Sequence, residues 1–587
     1  MSGTFDEKDI EKITKKRVEW EQGTLKKSLE RFGVDEPPDR FYTPMDIQDF
    51  DFMEKVGFPG TYPYTAGIYA CHVPGAGPVT GGGNIGATGK GMVRAGRYSG
   101  YGMAEDTRDF YKKEIQRGRT VGPNLAFDLP TQIGIDSDDP RALGEVGKTG
   151  VAFDSLQDFE IIYEPYEGKS GLDKIASNWT TNAQAFVIIA AYIALAQKKG
   201  IDPKTLRGTP QNDILKEYVA RGTYIYPPKE SLRIFRDILT YCTEHTPNLN
   251  ICSIAAYHMR EGGATREQAL AFHFANAITY LQIGVDAGMN VDDFVGRFSF
   301  NTLSGDMEIM KEIAARRAAR RMWAKIVRDR FGSQNPRSQI YREAGGFVVG
   351  CVSSTKQRAL NNLTRTVIGG VAGAFCGYIP SVEPPYDEAL GLGWSTEAQQ
   401  LSEDAARIIQ YEAKLTDVMD PLAGSYYIEA LTDQIEKEAW DIINKIDEMG
   451  GSLKAIENGY MQSAVAKSAY EKQRRLETGE DIIVGVNAFT DESELDVKVQ
   501  QMVPYPYDAG KQASAEENQI KKLQQLRKNR DNKAVEAALS RLKEIARDEN
   551  ANLMEATIEA VKTYATIGEI CGALREVFGE YSAYGAL

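Results

Sequence analysis

The sequence predicts an α/β fold, a closed (β/α)8 barrel of the TIM type with an N-terminal arm and a C-terminal helical region. Three observations carry this. Between about Asn124 and Ala430, short apolar segments alternate with long helical ones, the pattern of parallel strands joined by crossover helices. Polar residues follow directly on several of the apolar segments, as they do where loops at the carboxyl ends of barrel strands build a site. The 587 residues also suffice for one barrel with additions at both ends. The expected division is an arm over 1–55, a barrel over 56–430 and a helical region over 431–587.

Taken in order, residues Asp6 to Phe32 carry Ile10, Ile13, Val18, Trp20 and Leu25 among dense charge, which predicts an amphipathic helix ended by Pro37 and Pro38. A loop-rich aromatic stretch follows. Cys71 to Gly91 is glycine-rich and contains a formal G-x-G-x-x-G at Gly81, Gly83 and Gly86, but neither a strand before it nor a long helix after it supports a dinucleotide site. It also fails as a phosphate-binding Walker loop, with Asn84 and Gly91 at positions that need glycine and a hydroxyl. A glycine-rich loop, or a lid over a substrate channel, is what remains. The strand candidates are NLAFDL, IASNWTT, LRGTPQ, NICSIAAY, GRFSF and GGFVVGC, separated by helices over 182–199, 229–246, 265–288 and 307–331. Beyond Pro421 the pattern turns mainly helical and reads as an appendage.

Composition excludes several classes. Lys plus Arg total 69 against 83 for Asp plus Glu, a net charge of -14, so no general attraction to nucleic acid or acidic membrane is expected. Arg316, Arg317, Arg320 and Arg321 read as one charged helix face rather than a nucleic-acid stripe. The N-terminus lacks a secretory pattern, and the apolar run Ala185 to Ala196 is too short to span a bilayer. Six dispersed cysteines without C-x-x-C fit reduced thiols in the cytoplasm and no metal site.

Gly208 to Pro228, GTPQNDILKEYVARGTYIYPP, reads as the working surface. Asn212 or Asp213 is placed to cap a helix through Leu215, Tyr218 and Val219, Gly222 suits a left-handed stop, and Arg221 falls in the last turn. There a guanidinium could grip a carboxylate at two points, or only form a surface ion pair. His258 follows the strand candidate NICSIAAY and precedes a turn, the setting of a site residue in a barrel.

The motifs NDILKE-x-x-x-R-x-TYIYPP, YHM-x-E-x-GAT and YPYT-x-GIY resemble those of the methylmalonyl-CoA mutase family of adenosylcobalamin-dependent acyl-CoA mutases. The resemblance spans nearly the whole chain. It implies a radical carbon-skeleton rearrangement of a carboxylated acyl-CoA, in which the protein orients the substrate and excludes water. It implies that His258 hydrogen-bonds the thioester carbonyl, that Gln211 and Thr209 meet the thioester region, and that Arg221 holds the free carboxylate. Asn250, Arg297 and Ser299 fall on the coenzyme A arm. Tyr98 falls between substrate and corrin, and Phe127 and Glu261 fall near cobalamin.

The chain departs from the family pattern in places. A longer glycine-rich insert, Cys71 to Arg97, replaces a family segment, IYREAGG (340–346) and FCGYIPS (375–381) replace two others, and Gly369 stands where the family has glutamate. These changes imply a reshaped pocket, suited to a bulkier aryl- or alkylsuccinyl-CoA. No histidine follows His273, so the D-x-H-x-x-G cobalamin motif is absent beyond the barrel. A separate small cobalamin-binding subunit and a hetero-oligomer are therefore expected. A non-catalytic stabilising subunit is the remaining alternative.

Overall fold

The computed structural model describes residues 6–33, 41–70, 95–99, 102–116, 122–301, 305–344, 353–378, 380–390, 395–490 and 509–582. Its centre is mixed α/β with parallel strands throughout. One sheet has the order β1 (Ala95–Ser99), β2 (Gly122–Ala126), β3 (Ala176–Thr180), β4 (Arg207–Pro210); a second has β5 (Cys252–Ala255), β6 (Phe298–Asn301), β7 (Glu343–Ala344). The sheets adjoin through a parallel bridge between Gly208 and Leu249 and through the Asn250 N–H donated to the Gly208 carbonyl at 2.8 Å. The strands thus lie side by side in chain order. A closed barrel is not formed by the described residues, and the strand candidate GGFVVGC falls on 345–351, outside them.

Helix positions follow the sequence closely, through local start signals in some helices and apolar pattern in others. The Pro228–His245 helix opens on proline, the Arg266–Asp286 helix on a Thr265–Gln268 capping box, and the Ala185–Lys198 helix is apolar all round because both its faces are buried. The N-terminal helix ends at Gly33, in left-handed conformation at φ 63°, before the two prolines are reached. Strand β1 was not among the expected strands; its AGRYS sequence is short and carries no apolar run.

Alternation within the strands sorts the two sheet faces. Trp179 of β3 packs on Tyr192, and Phe300 of β6 packs on Trp323, so these residues mark the face covered by helices. The opposite face carries Asn124, Asn178 and Thr209, which share one rung of the register with the backbone of Tyr98, and then Ser253 and Ser299, which pair on the next sheet. Barrel interiors are ordinarily filled by Val, Ile and Leu. A polar inner face is built for a ligand rather than for packing.

The C-terminal helices are no appendage. Tyr426–Glu448 packs on Arg266–Asp286 and Ile309–Lys325, and Met554–Lys562 packs on Ala185–Lys198, all within the main hydrophobic core. The four arginines read as one charged helix face are buried. Arg317 pairs with Asp420 and Glu429, Arg321 with Asp433 and Glu436, and Arg316 with Glu312, while Arg320 donates to the Thr65 and Cys376 carbonyls. Arg317 and Arg321 find their acidic partners about a hundred residues further along the chain, whereas Arg316 finds Glu312 one turn back on its own helix.

Candidate active site

The stretch after β4 is held by a chain of amide contacts. The Asp213 N–H donates to Asn182 Oδ1 at 3.1 Å, and Asn182 Nδ2 donates to Gln211 Oε1 at 2.9 Å. This relay orients the Gln211 amide and commits its oxygen, leaving its NH2 edge as the donor for a ligand. Neither Asn212 nor Asp213 caps the helix as the sequence suggested. Asn212, at φ 45°, donates to the Ile251 carbonyl, while Asp213 accepts from the Ala255 N–H and the Tyr280 hydroxyl, tying the loop to β5. Burial lifts the Asp213 carboxyl to about 6, with Lys216 acting the other way.

Arg221 ends a wide helical turn, Glu217–Arg221, stopped by Gly222 in left-handed conformation at φ 86°. Its Nη1 donates to Glu217 Oε1 and to Thr223 Oγ1, each at 3.3 Å. Glu217 is buried and also pairs with the buried Lys216. Burial opposes its ionisation, but Lys216 and Arg221 together hold its carboxyl below the ordinary range. Glu217 thus serves both Lys216 and Arg221, and the buried Asp213 is a second carboxylate acting on Lys216. The Thr223–Tyr226 segment that closes this stretch is clamped by the C-terminus, through Tyr581 N–H to the Ile225 carbonyl at 2.9 Å and Tyr581 against the rings of Tyr218 and Tyr224.

His258 lies in the short Tyr257–Glu261 helix directly after β5. Its Nδ1 is buried without a partner among the described residues. Burial, then the charges of Lys216 and Arg221, hold the imidazole well below its ordinary pKa, so it stays neutral. Glu261 sits on the last turn of this helix, near Glu388. Phe127 is fully buried, packed on Phe153 and Phe159.

At the amino ends of the strands a second constellation forms. Asn250 Nδ2 donates to Thr209 Oγ1 at 2.7 Å, so two candidates assigned to different parts of a ligand are bonded to each other. Arg297, just before β6, donates to Asn248, and the Ser299 hydroxyl to the Cys252 carbonyl at 3.2 Å. Sequence reasoning missed two neighbours, Arg207 and Arg342. Burial and then the nearby charge of Arg207 depress Arg297, and burial and then Arg297 depress Arg342. None of the three meets a carboxylate among the described residues. Also missed were Asn124, Asn178 and Asn182; their signal was a polar residue at every second strand position, as in Arg207, Thr209, Gln211. Among the described residues no group of His, Cys, Asp and Glu is arranged to hold a metal ion.

The family model described as methylmalonyl-CoA mutase matches residues 35–580. The chain belongs to the methylmalonyl-CoA mutase family. It is accordingly an isomerase of the intramolecular-transferase class, an acyl-CoA mutase subunit of a family that uses adenosylcobalamin. The chain is 37% identical over 584 residues to the 2-hydroxyisobutanoyl-CoA mutase large subunit of Aquincola tertiaricarbonis, covering 97% of each protein. It is 38% identical over 537 residues to the methylmalonyl-CoA mutase of Escherichia coli (strain K12), covering 91% of this chain and 70% of that protein. The mitochondrial methylmalonyl-CoA mutase of Homo sapiens is 36% identical over 490 residues, 83% of this chain and 63% of that protein. No described helix is long and apolar enough to cross a membrane.

Proposed function

We propose that this family member rearranges the carbon skeleton of an acyl-CoA bearing a free carboxylate, of the methylmalonyl-CoA and succinyl-CoA type. The observation that carries this is Arg221, which only shares Glu217 with Lys216 and whose charge acts on a neutral His258. Arg221 anchors the carboxylate in a partly desolvated setting, where a charged pair counts for more than at a surface. Gln211, its oxygen already committed to Asn182, and His258 donate to the thioester carbonyl as charge shifts onto it. A neutral imidazole suits that task, because a cation there would compete with Arg221 for the carboxylate.

The coenzyme A arm runs along the polar inner face toward Arg207, Arg297 and Arg342, which meet its phosphates. Thr209, Asn250 and Ser299 line the way, and the wall of a (β/α)8 barrel, to which the seven described strands belong, encloses it. When bound, adenosylcobalamin supplies the radical chemistry of the rearrangement. The buried, unpartnered polar atoms of Gln132 and His258, just after β2 and β5, fit a ligand rich in donors and acceptors at this end. Tyr98 would lie between substrate and corrin, with Phe127 and Glu261 behind the cofactor. The cofactor is carried largely by a separate small subunit in a hetero-oligomer, a reading supported by the near-complete mutual coverage with a relative named as a large subunit.

The test is an anaerobic assay of the chain with a cobalamin-binding subunit, adenosylcobalamin and a panel of acyl-CoAs, reading isomers by mass-resolved chromatography. Turnover of dicarboxylic thioesters is expected. Turnover confined to 2-hydroxyacyl thioesters, in line with the Aquincola relative, would remove the carboxylate reading, and none with any thioester would point to a non-catalytic subunit.

A further inference from the structure

Arg221 is held loosely by its own protein. Its hydrogen-bond partners among the described residues, Glu217 Oε1 and Thr223 Oγ1, each lie 3.3 Å from Nη1, longer than an ordinary bond from a charged donor. Its side chain is 22% exposed, whereas that of Glu217 is fully buried. A carboxylate clamp needs two parallel bonds, so it depends on where the guanidinium is kept, and that falls to whatever fixes Glu217 and Thr223. These two are bonded to each other, Thr223 donating its N–H at 3.1 Å and its hydroxyl at 2.6 Å to Glu217 Oε2.

The residues that follow them, Tyr218 and Tyr224, stack with ring centroids 5.0 Å apart and planes 6° from parallel. The stack closes the base of the turn that carries Arg221. Tyr581, from the last described residues, stands edge-on to both rings, at 5.0 Å and 88° to Tyr218 and at 4.9 Å and 87° to Tyr224. Its N–H donates to the Ile225 carbonyl at 2.9 Å. The chain is directed to this place. Arg575 fixes the Ile567–Phe578 helix to the Ile133 and Gly134 carbonyls after β2, and the Tyr226 hydroxyl donates to the Cys571 carbonyl. Gly579 then ends the helix at φ 78°, a conformation that favours glycine, and Arg575 Nε donates to Glu580 Oε1 at 3.1 Å, which aims the next residue at the turn.

We propose that Tyr581 is a positioning residue for substrate selection: by bracing the Tyr218–Tyr224 stack it keeps Glu217 and Thr223, and through them Arg221, in register for the free carboxylate of an acyl-CoA. This rests on the carboxylate reading of Arg221 above. Tyr581 acts through the turn and makes no bond of its own to Arg221. A displaced guanidinium weakens the grip on a carboxylate and leaves a thioester without one unaffected.

The experiment is a calorimetric titration of the full chain, with excess cobalamin-binding subunit, by succinyl-CoA and by butyryl-CoA, which has a methyl group where succinyl-CoA has its carboxylate. The wild type is expected to bind succinyl-CoA more tightly, and Arg221→Gln to lose that preference. Tyr581→Ala should weaken succinyl-CoA binding about tenfold and change butyryl-CoA binding less than about twofold, while Tyr581→Phe, which keeps the ring edge, should bind both as the wild type does. Tyr581→Leu keeps apolar bulk without the ring, so it carries the test if the alanine variant fails to fold, and it should behave as the alanine variant is expected to. Wild-type selectivity in Tyr581→Leu, or equal weakening of both thioesters in either variant, would overturn the proposal while leaving Arg221 its role. No preference in the wild type, or one that survives Arg221→Gln, would remove the carboxylate reading itself and this proposal with it.

Discussion

Two groups of arginines in this molecule behave oppositely, one clustered on a single helix and one scattered along the chain. Arg316, Arg317, Arg320 and Arg321 are buried in the seam between the Ile309–Lys325 and Tyr426–Glu448 helices and its surroundings, each facing carboxylates or carbonyls of the protein itself. Arg207, Arg297 and Arg342, at the amino ends of the strands, bond only neutral oxygens, the Asp173 carbonyl, Asn248 Oδ1 and the Gly296 carbonyl, and meet no carboxylate among the described residues. Arg221 stands between these cases, sharing Glu217 with Lys216. A matched buried charge holds elements together, and removing one partner leaves the other stranded. Unmatched charges repel one another and await an anion from outside. The number of arginines in a stretch therefore says little; what decides their role is whether the fold supplies their counter-charges.

The sharpest way to break this contrast is Arg317→Met. It strands Asp420 and Glu429, so a loss of about 3–5 kcal/mol in urea unfolding is expected, with activity per folded molecule unchanged. A loss below about 1 kcal/mol would show the seam to be dispensable. Arg221→Gln should lower kcat/KM for a dicarboxylic acyl-CoA by about a hundredfold, with a much smaller effect on a monocarboxylic one, because a desolvated carboxylate loses its charged partner. Equal losses on both substrates would dissolve the carboxylate assignment.

Smaller effects test the amino-end cluster. Arg342→Ala and Arg297→Ala should each raise KM for acyl-CoA about tenfold with little change in kcat, and should flatten its salt dependence. They should not destabilise the fold, since relief of mutual repulsion offsets lost packing. A melting point lowered as far as in Arg317→Met would put them in the structural group. The smallest effect concerns pH. His273, buried beside Phe300 and Tyr341, is held down to about 3 from the ordinary 6.5 by burial. The unfolded chain then takes up a proton below pH 6.5 that the folded chain refuses, so stability falls as pH drops from 6.5 toward 3. His273→Phe should remove about 1 kcal/mol of the loss seen at pH 5.5. Unchanged slopes in the variant would show that another group governs the acid limb.

Much of the site was legible because it is local. Gly222 stops its turn, Arg221 ends it, and His258 follows its strand as spacing and residue type predicted. The cap assignment for Asn212 and Asp213 failed because tertiary partners, Ile251, Ala255 and Tyr280, outbid the local N–H groups.

By itself the sequence determined the helices, since periodicity, proline, glycine and capping residues act within a few positions of one another. It also determined the strands β2 to β6, through regular alternation, and the family, through contiguous motifs. Only the tertiary structure decided which arginines are matched, that Thr209 bonds Asn250, and that the C-terminal Tyr581 braces the Tyr218–Tyr226 stretch. The physical reason is reach. Backbone preferences and caps operate over one turn, whereas counter-charges and hydrogen-bond partners come from wherever the chain returns, and desolvation makes their presence or absence decisive.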